Sequence, residues 1–402
     1  MFLNTTGIIW HRWSSQTWVS IFLTLSLLTI PLSSTAKSIC VALALAVIVF
    51  SPVYRRDLLR MWTQRWCQAA VLLFSVAVIA CAWSPATISE KLMEIEKYSK
   101  LLYLPILAVG FRDPQARRLA LHGFLFAMLI TVFISTLIYT NLLSFGSIEA
   151  NGVFRNHIMT GYMMAFAAYL SSLLFLQQSG RARILYAVLA LLFSYHLLFI
   201  NNGRTGYVIF LLLMGLLMFQ SFSWRQAVFG ILAGCSLVVV TYYQSPVMQE
   251  AIHQAVNDCK LYEKSVKDTS IGYRLQFHDY AYNLFKRHPL IGNGTTSFKH
   301  IYHEENPIPA RGTHLLEPHS QYWLVASEFG LLGCAALAFF FFSLFLASWR
   351  LNTLRPLALA ILLPFLIGNL SDSLLFYSGT GYFFILFMAL CLGEQKNEAD
   401  RI

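Results

Sequence analysis

The sequence predicts an all-α polytopic membrane protein with about twelve transmembrane helices and one large outer loop. Three observations carry that prediction: a composition 57% hydrophobic and only 12% charged, a series of apolar runs of membrane-spanning length, and a one-sided distribution of cations. Soluble domains carry about 25% charged residues. With a mean hydropathy of +0.59, the chain lacks the polar surface to cover a water-soluble globule. A cytosolic enzyme, a disordered chain and a secreted disulfide scaffold are excluded.

A bilayer crossing needs about 20 apolar residues. Runs near that length fall at 17–33, 38–53, 67–83, 99–111, 119–143, 158–176, 184–200, 205–222, 227–243, 321–349, 354–370 and 376–392. The fourth is short and extends backwards as an amphipathic helix through Leu92, Ile95 and Ser99. His11, Arg12 and the apolar stretch ending at Ser34-Thr35-Ala36 loosely imitate a cleavable leader. The stretch is read as a first span, and its loss would not change how the others face. Residues 1–402 form a single transmembrane domain in this reading, with 244–320 as an outer loop between spans nine and ten.

The net charge is +10. With the N-terminus in the cytoplasm, fifteen cations (Arg12, Arg55, Arg56, Arg60, Arg65, Arg112, Arg117, Arg118, Arg181, Arg183, Arg225, Arg350, Arg355, Lys396 and Arg401) fall on the inner side. They face five inner acids, Asp57, Asp113, Glu394, Glu398 and Asp400, while the remaining cations and acids balance. This is the positive-inside pattern; it favours an even number of spans with both termini cytoplasmic, and no nucleic-acid partner is needed to explain the charge. The seven cysteines lie mostly in or beside spans, without CxxC or zinc spacing, and read as small hydrophobes.

Polar groups concentrate in 244–320, which holds seven of the eleven histidines. Within it, Tyr273, Phe277, Tyr280 and Leu284 recur at helical spacing and draw one apolar face, a pattern suited to a helix lying along the outer membrane surface. Arg274 and His278 share a neighbouring strip. Pro289 stops that helix, and Gly292 and Gly294 permit a tight turn. Arg204 opens the eighth span and His319 the tenth, so each sits at an outward-facing helix start that welcomes an anion, a phosphate above all.

Plainer roles exist for each residue. Arg204 would serve as a snorkelling anchor, although anchoring favours the cytoplasmic end. Arg274 would pair with Asp268 or Asp279 on its own loop, and His319 would act as a helix cap. His300, His303, Glu304, His314 and His319 supply enough donors for a metal but match no ligand signature, so no metal or other cofactor is expected. Glu328 is the one acid inside the predicted spans. An intramembrane charge is functional by default, though Gly330 and Gly333 beside it also suit close helix packing.

Taken together, the dozen spans, the outer loop before the tenth, Arg204, Arg274, the Pro289-Leu290-Ile291-Gly292-Asn293-Gly294 turn and the Pro318-His319 pair resemble the bacterial O-antigen ligases. Their wider superfamily includes O-antigen polymerases and protein O-oligosaccharyltransferases. The resemblance implies a metal-independent inverting glycosyltransferase of the bacterial inner membrane. It would move a glycan from undecaprenyl diphosphate to lipid A-core oligosaccharide at the periplasmic face. Carried over to this chain, Arg204 and Arg274 would hold the donor diphosphate and His319 would act on the acceptor hydroxyl. Asp372 resembles an acid found at that place in some members, and Ser320 stands where many ligases carry Asn. Ser320 and Glu328 are kept as possible supporting residues. The rival readings are a polymerase or protein-glycosylating enzyme using the same donor and, from another class, a polyisoprenoid-lipid transporter. Transporters place polar groups and broken helices near the midplane, whereas here they gather at the outer edge.

Overall fold

A computed structural model describes residues 14–144, 146, 148–311 and 315–394. His11, Arg12, His314, Lys396, Glu398, Asp400 and Arg401 lie outside the described residues. Every regular element among the described residues is helical. Seven helices are long and apolar enough to cross a bilayer, or eight if the bent pair Ser34–Phe50 and Pro52–Met61 makes one span. Other expected runs form shorter apolar helices, including Ser15–Thr29, Arg355–Gly368 and Ser378–Leu392.

The helices sort by the burial of their faces. His157–Gln177 and Ser378–Leu392 are buried almost throughout. They meet in a cluster of Phe166, Phe383 and Phe387, with ring centroids 4.7–5.3 Å apart, a separation that suits aromatic pairs. Trp224–Gln244 buries only Ala227 and Thr241 and leaves Phe229, Leu232, Leu237 and Val239 exposed, the surface expected of a helix solvated by lipid.

The fourth run does extend backwards, into one helix, Ile88–Gly110, opened by a Thr87–Glu90 capping box. That continuity adds a second acid to the apolar bundle: Glu94 is buried, so Glu328 is not alone. Lys37 and Lys100 are buried too. The Lys37 ammonium donates to Ser378 Oγ at 2.9 Å and lies 3.7 Å from the centre of the Tyr382 ring. Lys100 donates to the carbonyls of Leu375 (2.7 Å), Phe376 (3.3 Å) and Tyr377 (3.4 Å). A buried ammonium persists only where such acceptors replace water.

The 244–320 stretch folds into the helices Pro246–Glu263, Ser270–Arg287 and Ser297–Glu305. The apolar face of Ser270–Arg287 is where its spacing predicted, but protein covers it. Phe277, Tyr280 and Leu284 join Phe298, Tyr302, Leu324 and Phe376 in a second core. Periodicity identifies a face that must leave water and says nothing about its partner, which here is the neighbouring helices and not the membrane surface.

The Pro289–Gly294 turn enters a break in the long helix Gln321–Trp349. Gly330 interrupts that helix at φ 61°, ψ −155°, and the turn satisfies the freed backbone. Gly294 N–H donates to the Glu328 carbonyl (2.8 Å), Asn293 N–H to Ser327 (3.1 Å), and Leu331 and Leu332 N–H to Pro289 and Leu290 (2.8 and 3.1 Å). Asn293 Nδ2 adds a bond of 2.8 Å each to the Leu284 and Ser327 carbonyls. Such a break is tolerated in a span only where other groups re-satisfy the backbone.

Candidate functional site

The Ser270–Arg287 helix touches all three of the residues singled out in the sequence. Thr269 caps it by accepting from Gly272 N–H. At its first residue, Ser270 Oγ accepts from Arg204 Nη2 at 3.2 Å. One turn on it carries Arg274. One further turn on, the Phe277 ring stacks on His319 with centroids 5.9 Å apart, and His278 Nε2 meets the His319 carbonyl at 3.3 Å. From Ser270 to His278 the rise is about 12 Å, so the two arginines and His319 flank a single short helix.

Arg204 and Arg274 line one cavity of about 700 Å³, together with His157, Asn151, Asn202 and Gln254. Two span-length helices begin there, at His157 and at Arg204. Gly203, which caps the second, offers no side chain to the first-turn N–H groups, and Gly206 N–H donates to the Gly203 carbonyl (2.9 Å). Arg204 Nη1, buried and without a hydrogen bond, has Asp258 Oδ2 at 3.7 Å as its ion-pair partner. Among the described residues Arg274 pairs with neither Asp268 nor Asp279. Two guanidinium groups in one cavity wall give it the chemistry of an anion site.

His319 lies beyond this cavity, on the far side of Phe277. Its backbone is left-handed, at φ 54°, a conformation uncommon outside glycine but visited by His more often than by most residues. It is held by Glu317, whose Oε2 accepts from the His319 N–H at 2.6 Å. The imidazole Nδ1 then faces two carboxylates: Glu317 Oε1 at 3.1 Å and Asp372 Oδ1 at 3.4 Å. Glu317 is 1% exposed, and also accepts from the hydroxyls of Ser373 and Tyr377. Burial pushes its carboxyl above the usual range, while His319 and the two hydroxyls pull it back. The same burial, next to the Glu317 charge, raises the Tyr377 phenol. Burial, with the positive charge of Arg274 close by, holds the His278 imidazole below its ordinary value.

Asp372 reaches this place because the Asn369–Tyr377 turn is tied to the start of Gln321–Trp349. Gln321 N–H donates to the Asn369 carbonyl (3.0 Å) and Gln321 Oε1 accepts from Phe376 N–H (3.1 Å). Lys100 clamps the end of the turn from below. Ser320 is buried and caps the long helix by accepting from Trp323 N–H, so its side chain serves the helix start. Glu328 is buried at the Gly330 break, about 10 Å of helix beyond Gln321, a position that belongs to the packing of the Pro289–Gly294 turn.

Among the described residues, His300, His303, Glu304 and His319 do not assemble as a group, and His314 lies outside them. His300 lies between Glu90 (3.2 Å) and Glu304 (3.4 Å). Among the described residues, the trio whose metal-capable atoms all lie within 4.8 Å of one another is Glu317, His319 and Asp372. The sequence reading passed over Glu317, His157 and Lys100. Lys100 had a visible signal, an ammonium at the head of an apolar run. Glu317 had a fainter one, its place two residues before the candidate histidine.

Residues 165–338 match the family model described as O-antigen ligase. That stretch includes Arg204, Arg274, Glu317, His319, Ser320 and Glu328, and the match supports an O-antigen ligase-family assignment. No curated protein matches the chain.

Proposed function

We propose that this chain is an O-antigen ligase, moving a glycan from undecaprenyl diphosphate to a hydroxyl of lipid A-core oligosaccharide. It does so at the periplasmic face of the bacterial inner membrane, in a bundle of about twelve spans with both termini in the cytoplasm. Arg204 and Arg274 bind the diphosphate, His319 accepts the proton of the attacking hydroxyl, and Asp372 assists it. The observation that carries this reading is the Ser270–Arg287 helix: it contacts Arg204 at its first residue, bears Arg274, and packs against His319 midway along its length.

The chemistry follows from these positions. A sugar hydroxyl is far too weak an acid to be ionised by an imidazole of ordinary pKa about 6.5, so the proton leaves as the new bond forms. Such general-base help is typically worth about 10²- to 10⁴-fold. The acceptor oxygen attacks the anomeric carbon, the bond to the diphosphate oxygen breaks with its electron pair, and one displacement inverts the centre. The departing diphosphate gains charge at that moment, and preorganised cations and helix-start N–H groups stabilise it. The donor already carries the activation, so no nucleotide is consumed.

The test is reconstitution of the purified protein with undecaprenyl-diphosphate-linked glycan and lipid A-core. His319→Ala is expected to insert and fold yet transfer no glycan. Normal transfer by His319→Ala, Arg204→Ala and Arg274→Ala alike would overturn the assignment. Longer lipid-linked chains, formed in place of glycosylated lipid A-core, would assign the polymerase reaction to the same residues.

A further inference from the structure

We infer that Glu317 is the positioning residue that sets His319 as a proton acceptor, by fixing its backbone and, together with Asp372, its ring tautomer. The inference rests on the proposed role of His319 and adds a residue to it.

Each oxygen of the Glu317 carboxylate has a separate task. Oε2 accepts from the His319 backbone N–H at 2.6 Å and from the Ser373 hydroxyl. Oε1 accepts from the Tyr377 hydroxyl at 2.8 Å and faces His319 Nδ1 at 3.1 Å. The neighbours with assigned hydrogens all donate, the arrangement that suits an acceptor-only carboxylate. Next to such an oxygen, Nδ1 must carry the hydrogen, which leaves the lone pair on Nε2 for the acceptor hydroxyl. Asp372 Oδ1 is hydrogen-bonded to Nδ1 at 3.4 Å and accepts from Ser373 N–H, so both carboxylates favour the hydrogen on Nδ1. The other groups around His319 are the Phe277 ring on its face and His278 at its carbonyl, with Arg274 one turn away. None of them offers Nδ1 an acceptor.

Glu317 holds the left-handed backbone of His319 with the same carboxylate. One buried side chain thus aims the imidazole and, with Asp372, selects its tautomer. During transfer the hydroxyl proton moves to Nε2, the acceptor oxygen bonds the anomeric carbon, and the diphosphate leaves with the old bond's electrons. The imidazolium formed at that moment has the Glu317 charge against its other nitrogen.

Glu317→Gln keeps the volume and one acceptor oxygen. If that oxygen stays with the His319 N–H, the new NH₂ faces Nδ1, opposes a hydrogen there and leaves Asp372 alone to hold it. In the reconstituted transfer assay, Glu317→Gln is expected to lower kcat about 100-fold or more, with donor and acceptor KM within about 3-fold of wild type. Glu317→Asp should recover at least about 10-fold of that loss. If Glu317→Gln does not fold, Tyr377→Phe carries the test, because it removes only the hydroxyl at Oε1; a kcat loss of about 10-fold at unchanged KM is then expected. An inactive His319→Ala beside a Glu317→Gln of near-normal kcat, or a Glu317→Gln defect confined to KM, overturns this inference and leaves the ligase reading standing. An active His319→Ala removes that reading, and the inference with it.

Discussion

Gly292 and Gly330 meet backbone to backbone where the loop turn enters the broken helix: a Cβ on Gly330 would lie 2.6 Å from the Gly292 nitrogen, and one on Gly292 would lie 2.3 Å from the Glu328 carbonyl oxygen. Both glycines have positive φ, 69° and 61°. The conformation of Gly330 is one that essentially only glycine adopts, at a cost of order 1–3 kcal/mol for other residues. Gly330→Ala and Gly292→Ala are each expected to destabilise the protein by about 3 kcal/mol or more, strain and clash adding. Thermal unfolding in detergent measures this, and an unchanged midpoint would show that the turn does not seat in the break.

Arg204 and Arg274 wall the same cavity, and each contact to a diphosphate is charge-assisted, worth about 1.5–3 kcal/mol. Arg204→Ala or Arg274→Ala should therefore raise the donor KM by about 10- to 100-fold and leave the acceptor KM nearly unchanged. Steady-state kinetics with each substrate varied in turn separates the two. A defect confined to the acceptor would reverse the assignment of the cavity.

On the exposed side of the loop, Arg287 pairs with Glu305, which also accepts from Tyr280 at 2.7 Å. The hydrogen bond from Arg287 holds the Glu305 carboxyl below its ordinary value. A lowered carboxyl stabilises the fold fully above its unfolded pKa of about 4.3 and loses that contribution as pH falls through the folded value. The pair is solvent-screened, so the effect should be under about 1 kcal/mol. Wild type is expected to unfold slightly later than Glu305→Gln at pH 7, with the gap closing near pH 3. A gap that widens on acidification would contradict the pairing.

Chelation is expected to leave glycan transfer unchanged. Glu317, His319 and Asp372 are close enough to share a cation, but the Glu317 oxygens already accept from a backbone N–H and two hydroxyls, and the ring nitrogen is hydrogen-bonded to Asp372. A divalent ion would have to displace those donors. Strong inhibition by EDTA, reversed by one added metal, would place an ion among these three side chains.

Local patterns settled much of this protein. Apolar runs and sparse charge fixed an all-helical membrane bundle, because a chain crossing lipid must satisfy its backbone internally. The spacing of Tyr273, Phe277, Tyr280 and Leu284 located the loop helix, and Pro289, Gly292 and Gly294 located the turn after it. Arg204, Arg274 and His319 were legible as polar residues out of place beside apolar runs. Tertiary packing decided what each of these meets. Glu317 and Asp372 converge on one imidazole nitrogen although 55 positions separate them in the chain; His300 turns to Glu90 rather than to the other histidines; Lys100 clamps a turn 275 residues away. The apolar face of Ser270–Arg287 chose protein over lipid. Periodicity reports which side of a helix must leave water; only the closed bundle determines which distant groups then occupy the space beside it.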